Sequence, residues 1–118
     1  MRAALISVLV LLVAGCATPV KQSDVPLKHY DKNTDYGVEP RADGFGISIH
    51  YSRYQFVPES DAVALACKQA LTSIAWEHSE KQGKEIQPIN EQAIRLSMGR
   101  NGLSGITSCN AYASAKWK

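Results

Sequence analysis

Residues 60–83 read SDAVALACKQALTSIAWEHSEKQG. Val63, Ala66, Cys67, Ala70, Leu71, Ile74 and His78 recur at spacings of three and four. At 100° per residue they fall on one stripe roughly 140° wide, the pattern of a helix lying against a core. Ser60 is the expected N-cap, and Asp61 places a carboxylate in the first turn, where the helix dipole favours it. Glu77 with Lys81 and Glu80 with Lys84 are i,i+4 pairs in the better orientation. Gly83 is the expected C′ residue, because a left-handed ending suits glycine.

Strands are expected on either side of this helix. In GFGISIHYSRYQFVP (44–58), Phe45, Ile47, Ile49 and Tyr51 alternate with Gly46, Ser48, His50 and Ser52, the period of a half-buried strand. Tyr54 and Phe56 fall on the opposite phase, which implies a bulge or a strand end covered on both faces, and Pro58 closes the segment. After a connection, KEIQPINE (84–91), Ile94, Leu96 and Met98 alternate with Arg95 and Ser97. Asn101-Gly102 is a strong two-residue hairpin signal. It pairs Arg100 with Leu103, Leu96 with Thr107 and Ile94 with Cys109, and a last strand runs to about Lys116. The expected fold is α+β: a small β-α-β-β domain over residues 44–118, one helix on a three-stranded, mainly antiparallel sheet. A helix of roughly 33 Å returns the chain to the start of the first strand. The first two strands then run parallel to each other, with the third between them in the order 1-3-2.

The chain has 118 residues and a formal charge of +2. Its first residues, MRAALISVLVLLVAGC, hold one basic residue, Arg2, and an apolar run from Ala3 to Val13 broken by one serine, Ser7. About eleven residues cannot span a bilayer, which takes about twenty. A charged start, a short apolar run and a small-residue end are the layout of an export signal. A buried N-terminal helix fits less well, since the run is apolar on all faces and ends in Gly15. Val13-Ala14-Gly15-Cys16 resembles the lipobox of bacterial lipoproteins. That resemblance implies a signal peptide over residues 1–15, cleavage before Cys16, and a diacylglycerol on the Cys16 thiol with further acylation of the new amine. Ala17 stands where an aspartate retains many such proteins in the inner membrane, so the implied address is the outer membrane, facing the periplasm. Residues 16–43 carry sparse apolar residues and three prolines, Pro19, Pro26 and Pro40. They read as the lipidated cysteine and a flexible tether, with Tyr30, Tyr36 and Val38 able to dock on the domain. Loss of Arg2 leaves a nearly neutral chain, which argues against nucleic acid as a partner.

An exported protein lives in an oxidising compartment. With Cys16 lipidated, Cys67 and Cys109 are left as an even pair. Cys67 lies within the apolar stripe of the helix, and the hairpin register puts Cys109 on the core side with Ile94, Leu96 and Met98. A disulfide between them is expected. Closing a loop of about 40 residues contributes on the order of 3–4 kcal/mol in the chain-entropy model. There is no CxxC and no ligand spacing to support redox or metal chemistry at either thiol.

No catalytic constellation is visible, and no cofactor motif. His29, His50 and His78 share no metal spacing, no serine sits in a nucleophile elbow, and the glycines of 99–105 lack the strand-loop-helix setting of a phosphate loop. A non-enzymatic role in the envelope follows, with a protein or the cell wall as partner. Two surfaces are candidates. Leu65, Thr72 and Trp76 lie within about 40° of one another, opposite the core stripe of the helix, and either anchor a partner or are covered by the tether or by Trp117. His50, Arg53, Arg95 and Arg100 are expected to line the outer sheet face and to suit an anionic ligand.

Overall fold

The alternation over residues 45–51 runs through the centre of the molecule. The structure, a computed structural model, describes residues 16–21 and 23–118; the leader expected over residues 1–15 lies outside the described residues. The strands are β1 (Cys16–Ala17), β2 (Lys28–Asp31), β3 (Thr34–Arg41), β4 (Gly44–Tyr54), β5 (Arg95–Asn101) and β6 (Ile106–Lys116). One helix, α1 (Ser60–Gln82), joins β4 to β5, and a single 3-10 turn, Glu91–Ala93, precedes β5. All pair antiparallel in one sheet, in the order β1-β5-β6-β4-β3-β2.

The α+β class and the α1-on-sheet arrangement hold, and β4, β6 and β5 stand in the expected order with β6 between the other two. The number of strands differs. The sheet has five strands of four or more residues, plus the two-residue β1, where three were expected. The additions come from the supposed tether. Thr34, Tyr36, Val38 and Pro40 face α1, while Asp35, Gly37, Glu39 and Arg41 face away, each paired with a residue of β4. Pro40 is tolerated because β2 reaches only as far as Tyr36, so β3 is an edge at that point. The turn into β3 is tied by Asp31 Oδ1, which accepts from Asn33 N at 2.8 Å.

The core lies between α1 and the inner sheet face. Val63, Cys67, Leu71 and Ile74 of α1 meet Phe45, Ile47 and Ile49 of β4 and Cys109, Ala111, Ala113 and Ala115 of β6, all buried. The alanine row under α1 lets the helix approach closely, and the long side chains of β4 fill the space beside it. Full burial of Val63, Leu71 or Ile74 stabilises by roughly 1.5–3 kcal/mol each. Ala75 and Ser79 are buried as well, so the buried face turns slightly beyond the expected stripe. Gly83 adopts the left-handed conformation (φ 67°) that ends α1. The N-cap differs from expectation: it is Glu59, held by Gln55 rather than by its own side chain. Gln55 Oε1 accepts from Glu59 N at 3.1 Å, and Gln55 Nε2 donates to Glu59 O at 3.2 Å.

The β5–β6 hairpin also departs from the expected register. Asn101 pairs with Ile106 and Met98 with Cys109, so the loop is the four residues 102–105. No non-glycine residue takes positive φ among the described residues; Gly105 does (φ 74°). Asn101 instead uses Oδ1 to accept from Leu103 N and Ser104 N at 2.9 and 3.2 Å. The slip relative to the expected pairing is an even number of residues, so every side chain keeps its face. Cys109 still points at α1, and the Cys67–Cys109 disulfide is present, with Cα atoms 6.6 Å apart.

The far end of the sheet is sewn by the C-terminus. Ile86, fully buried, bridges to Trp117, and Trp117 N donates to Asp43 O at 2.9 Å. The Trp117 ring lies 5.3 Å from Phe45, whose other neighbour is His78 at 4.7 Å.

Candidate functional site

The outer sheet face is built from small and polar residues: Gly37 of β3, Gly46, Ser48 and His50 of β4, Ser108, Asn110, Tyr112 and Ser114 of β6, and Arg95, Ser97 and Gly99 of β5. Residues 18–21 and 23–27 cross it as an extended strap, from β1 at one edge to β2 at the other. Val20 N donates to Ser97 Oγ at 2.7 Å. Asn110 Nδ2 donates to Val20 O at 3.0 Å and to Pro19 O at 3.3 Å. Ser23 Oγ and Ser48 Oγ share a bond of 2.8 Å. At Gly37 a Cβ would come within 2.9 Å of both Pro26 O and Val25 Cγ1, so glycine is what lets the strap lie flat there. Under the strap is a hollow of about 210 Å³ lined mainly by Val25, Leu27, Ser48, His50 and Asn110.

Beside the strap the face opens into a groove of about 670 Å³, with Asp24, Glu39, Arg41, Arg95, Tyr112 and Ser114 on its walls. Its centre is Tyr112. Arg95, from the neighbouring strand, sets its guanidinium 5.6 Å from the ring centroid; Arg41 reaches across β4 to within 5.8 Å. Gly46 clears that path, since a Cβ there would lie 2.7 Å from Tyr112 Oη and 3.3 Å from Arg41 Nη2. Arg41 Nη2 donates to Tyr112 Oη, and Nη1 donates to Ser114 Oγ at 2.9 Å. Glu39 Oε2 stands 3.7 Å from Arg41 Nη2. A second hollow of about 260 Å³ continues past Arg95 and Tyr112 to Asn90 and Lys116. Two guanidinium groups flank one aromatic ring and Lys116 lines the adjoining hollow, a chemistry suited to a carboxylate or phosphate group on a planar or extended ligand.

The basic residues expected to share one face do not. His50 and Arg95 are on the outer face, but Arg53 and Arg100 flank Thr107 on the face that carries α1. Arg100 is spent on structure: Nη1 donates to Thr107 Oγ1 at 2.8 Å and Nη2 to Gln55 O at 3.2 Å. His50 lies beneath the strap, where its Nδ1 donates to Asn110 Oδ1 at 2.6 Å. Of the four, Arg95 alone lines the groove. Arg41, Tyr112 and Ser114 are residues that sequence reasoning missed. The usable signal was Tyr112, a lone aromatic on the polar phase of a strand whose inward positions flanking it are alanines.

Leu65 is 53% and Trp76 41% exposed, and Thr72 is half-buried with Oγ1 donating to Gln69 O at 3.0 Å. The nearest contact from the N-terminal segment falls one residue away, where Tyr30 Oη donates to Glu77 Oε1 at 2.7 Å. That bond raises the Tyr30 pKa. His78, on the same stretch of α1, is pushed below its usual value by burial and then by Lys81.

Among the described residues, no three His, Cys, Asp or Glu side chains gather as a metal ion would require, and no helix is long and apolar enough to cross a membrane. His50 and His78 lie on different layers, and Cys67 and Cys109 are bonded to each other. Comparison with protein-family models, with characterised proteins and with solved structures yields no match.

Proposed function

We propose that this protein is a lipid-anchored cell-envelope module that works by binding rather than by catalysis, as an accessory subunit of an outer-membrane assembly. The anchor is Cys16, the membrane the outer one, and the folded part faces the periplasm. The partner is another envelope protein or the cell wall. The observation that carries the reading is Trp76 with Leu65. Both stay exposed on the face of α1 turned away from the sheet, although Trp117 and the N-terminal segment were each available to cover them. A large aromatic left in water, with a second exposed apolar side chain about 16 Å further along the same helix face, is the make-up of an interface anchor.

In-cell photo-crosslinking with the probe at Trp76, and at the exposed Gln69 as control, tests it. A discrete adduct from position 76, absent from a Cys16→Ala chain, is the expected result. No adduct from a folded, membrane-bound protein would remove the helix face as the binding surface.

The groove around Tyr112 supports a second reading, a periplasmic binder of a small anionic ligand. Arg41, Arg95 and Lys116 stand where such a ligand would lie, in place of the surface expected from His50, Arg53, Arg95 and Arg100. A melting shift with carboxylates or phosphates, lost in Arg95→Gln, would favour it.

A further inference from the structure

One row of paired residues closes the end of the sheet at which the described chain begins: Cys16 opposite Asn101, Asn101 opposite Ile106, and Ile106 opposite Tyr54. Around this row several large apolar side chains stand exposed. Leu103 is 94% and Phe56 86% exposed, with Tyr54 at 65%, Val57 at 64% and Ile106 at 41%. These are five of the chain's large apolar side chains, brought from the end of β4, the β4–α1 connection, the β5–β6 loop and the start of β6 to one end of the molecule.

They are held there by structure. The β4–α1 connection is pinned at its base by Gln55, whose N donates to Gly105 O at 2.8 Å and whose buried amide accepts from Thr107 Oγ1 at 2.8 Å and holds Glu59. Phe56 and Val57 project beyond that pin. Leu103 projects from a loop tied by Asn101 Oδ1 and by Gly105 N donating to Asn101 O at 2.9 Å. Gly105 admits the Tyr54 ring, to which a Cβ would come within 2.6 Å.

We infer that this end is a membrane-docking surface whose occupant is the interfacial layer of the bilayer that holds the Cys16 anchor. The inference rests on the anchor proposed above. What selects the bilayer over a protein is where the remaining chain joins. Fifteen residues precede Cys16, most of them apolar, and β1 leads from Cys16 away from the apolar end, so whatever Cys16 carries starts beside Asn101 in the same row. No spacer separates anchor from fold, because β1 is already paired with β5. An acyl chain placed there brings Phe56, Val57 and Leu103 to headgroup depth, with Tyr54 as the amphipathic ring such interfaces favour. The opposite arrangement then follows for the binding surfaces. Trp76 lies about 24 Å along α1 from Ser60 at 1.5 Å per residue. Tyr112 lies about 20 Å along β6 from Ile106. Trp76 and the Tyr112 groove stand clear of the membrane.

The experiment uses the full chain, acylated in cells and reconstituted in vesicles of phosphatidylethanolamine and phosphatidylglycerol with brominated acyl chains. A bimane group is placed on a cysteine introduced by Phe56→Cys, Leu103→Cys or, as a distal control, Glu80→Cys; all three sites are exposed, and thermal melts confirm folding. The expected result is severalfold stronger quenching at positions 56 and 103 than at 80. A Cys16→Ser chain tests the anchor separately, by loss of the membrane fraction. Anchored protein with equal quenching at all three positions would overturn the docking surface while leaving the anchor standing. Shielding of positions 56 and 103 from water without quenching by lipid would overturn it in favour of a protein on this end. A Cys16→Ser chain still in the membrane fraction would overturn the anchor itself.

Discussion

The two faces of the sheet are covered by different means. The inner face is covered by α1, through large apolar side chains and one disulfide. The outer face is crossed by a strap of extended chain, through hydrogen bonds to serine and asparagine side chains and through the absence of a side chain at Gly37. One cover is held by burial and a covalent bond, the other by close approach and local polar pairing. The inner cover should therefore be strong and the outer one selectively removable.

The largest effect should come from the inner face. Replacing both Cys67 and Cys109 by alanine is expected to cost about 3–4 kcal/mol from the lost cross-link, seen as a lowered denaturant midpoint. Retained stability would mean that the burial of Leu71 and its neighbours is sufficient alone. Leu71→Ala, at a fully buried position of α1, should cost about 2–5 kcal/mol.

Gly37→Val should act on the other face. The added side chain meets Pro26 O and Val25 Cγ1, so the strap must lift, at about 1–3 kcal/mol. Hydrogen exchange should then rise over residues 23–27 while the amides of α1 stay protected. Equal loss of protection in both would show that the two covers form one cooperative unit. Ser48→Ala, which removes only the bond to Ser23, should cost about 1 kcal/mol with the same localised pattern.

The smallest effect is a pH dependence at His78. Its folded pKa is lowered from the usual 6.5, first by burial and then by Lys81. The folded state therefore binds fewer protons than the unfolded state below that value. The contribution is complete above pH 6.5 and is lost as pH falls through 6.5 toward the folded pKa. Urea melts of the wild type and of His78→Gln should diverge in slope against pH over that window. Parallel curves would mean that the Phe45–His78 contact tolerates the charged ring.

The same contrast explains what the sequence makes legible. Hydrophobic period marks the inner cover: the stripe of α1, the alternation of β4 and the cysteines all follow from where apolar side chains recur. The disulfide is deducible even from a wrong hairpin register, because a slip of an even number of residues preserves facing. The outer cover has no such period. Alternation is present over Thr34–Arg41, but Pro40 and the charged outward residues disguise it. The strap at 18–21 and 23–27 is apolar nowhere for long, and its anchorage depends on which serines and glycines happen to lie beneath it. Tyr112 and Arg41 are 71 positions apart and meet only because Gly46 leaves room between them. Arg53 is a different case: it continues the phase of Phe45, Ile47, Ile49 and Tyr51, so its inward face is legible in the alternation itself, and the expectation of an outer position disregards that phase.

The central claim is that the folded unit is tied to a membrane at Cys16, at the edge of the sheet itself. The most direct measurement is the intact mass of the protein extracted from cell membranes. The account predicts a chain beginning at Cys16 and carrying a diacylglycerol and an amide-linked acyl group. A chain still beginning at Met1, with an unmodified Cys16, would contradict it.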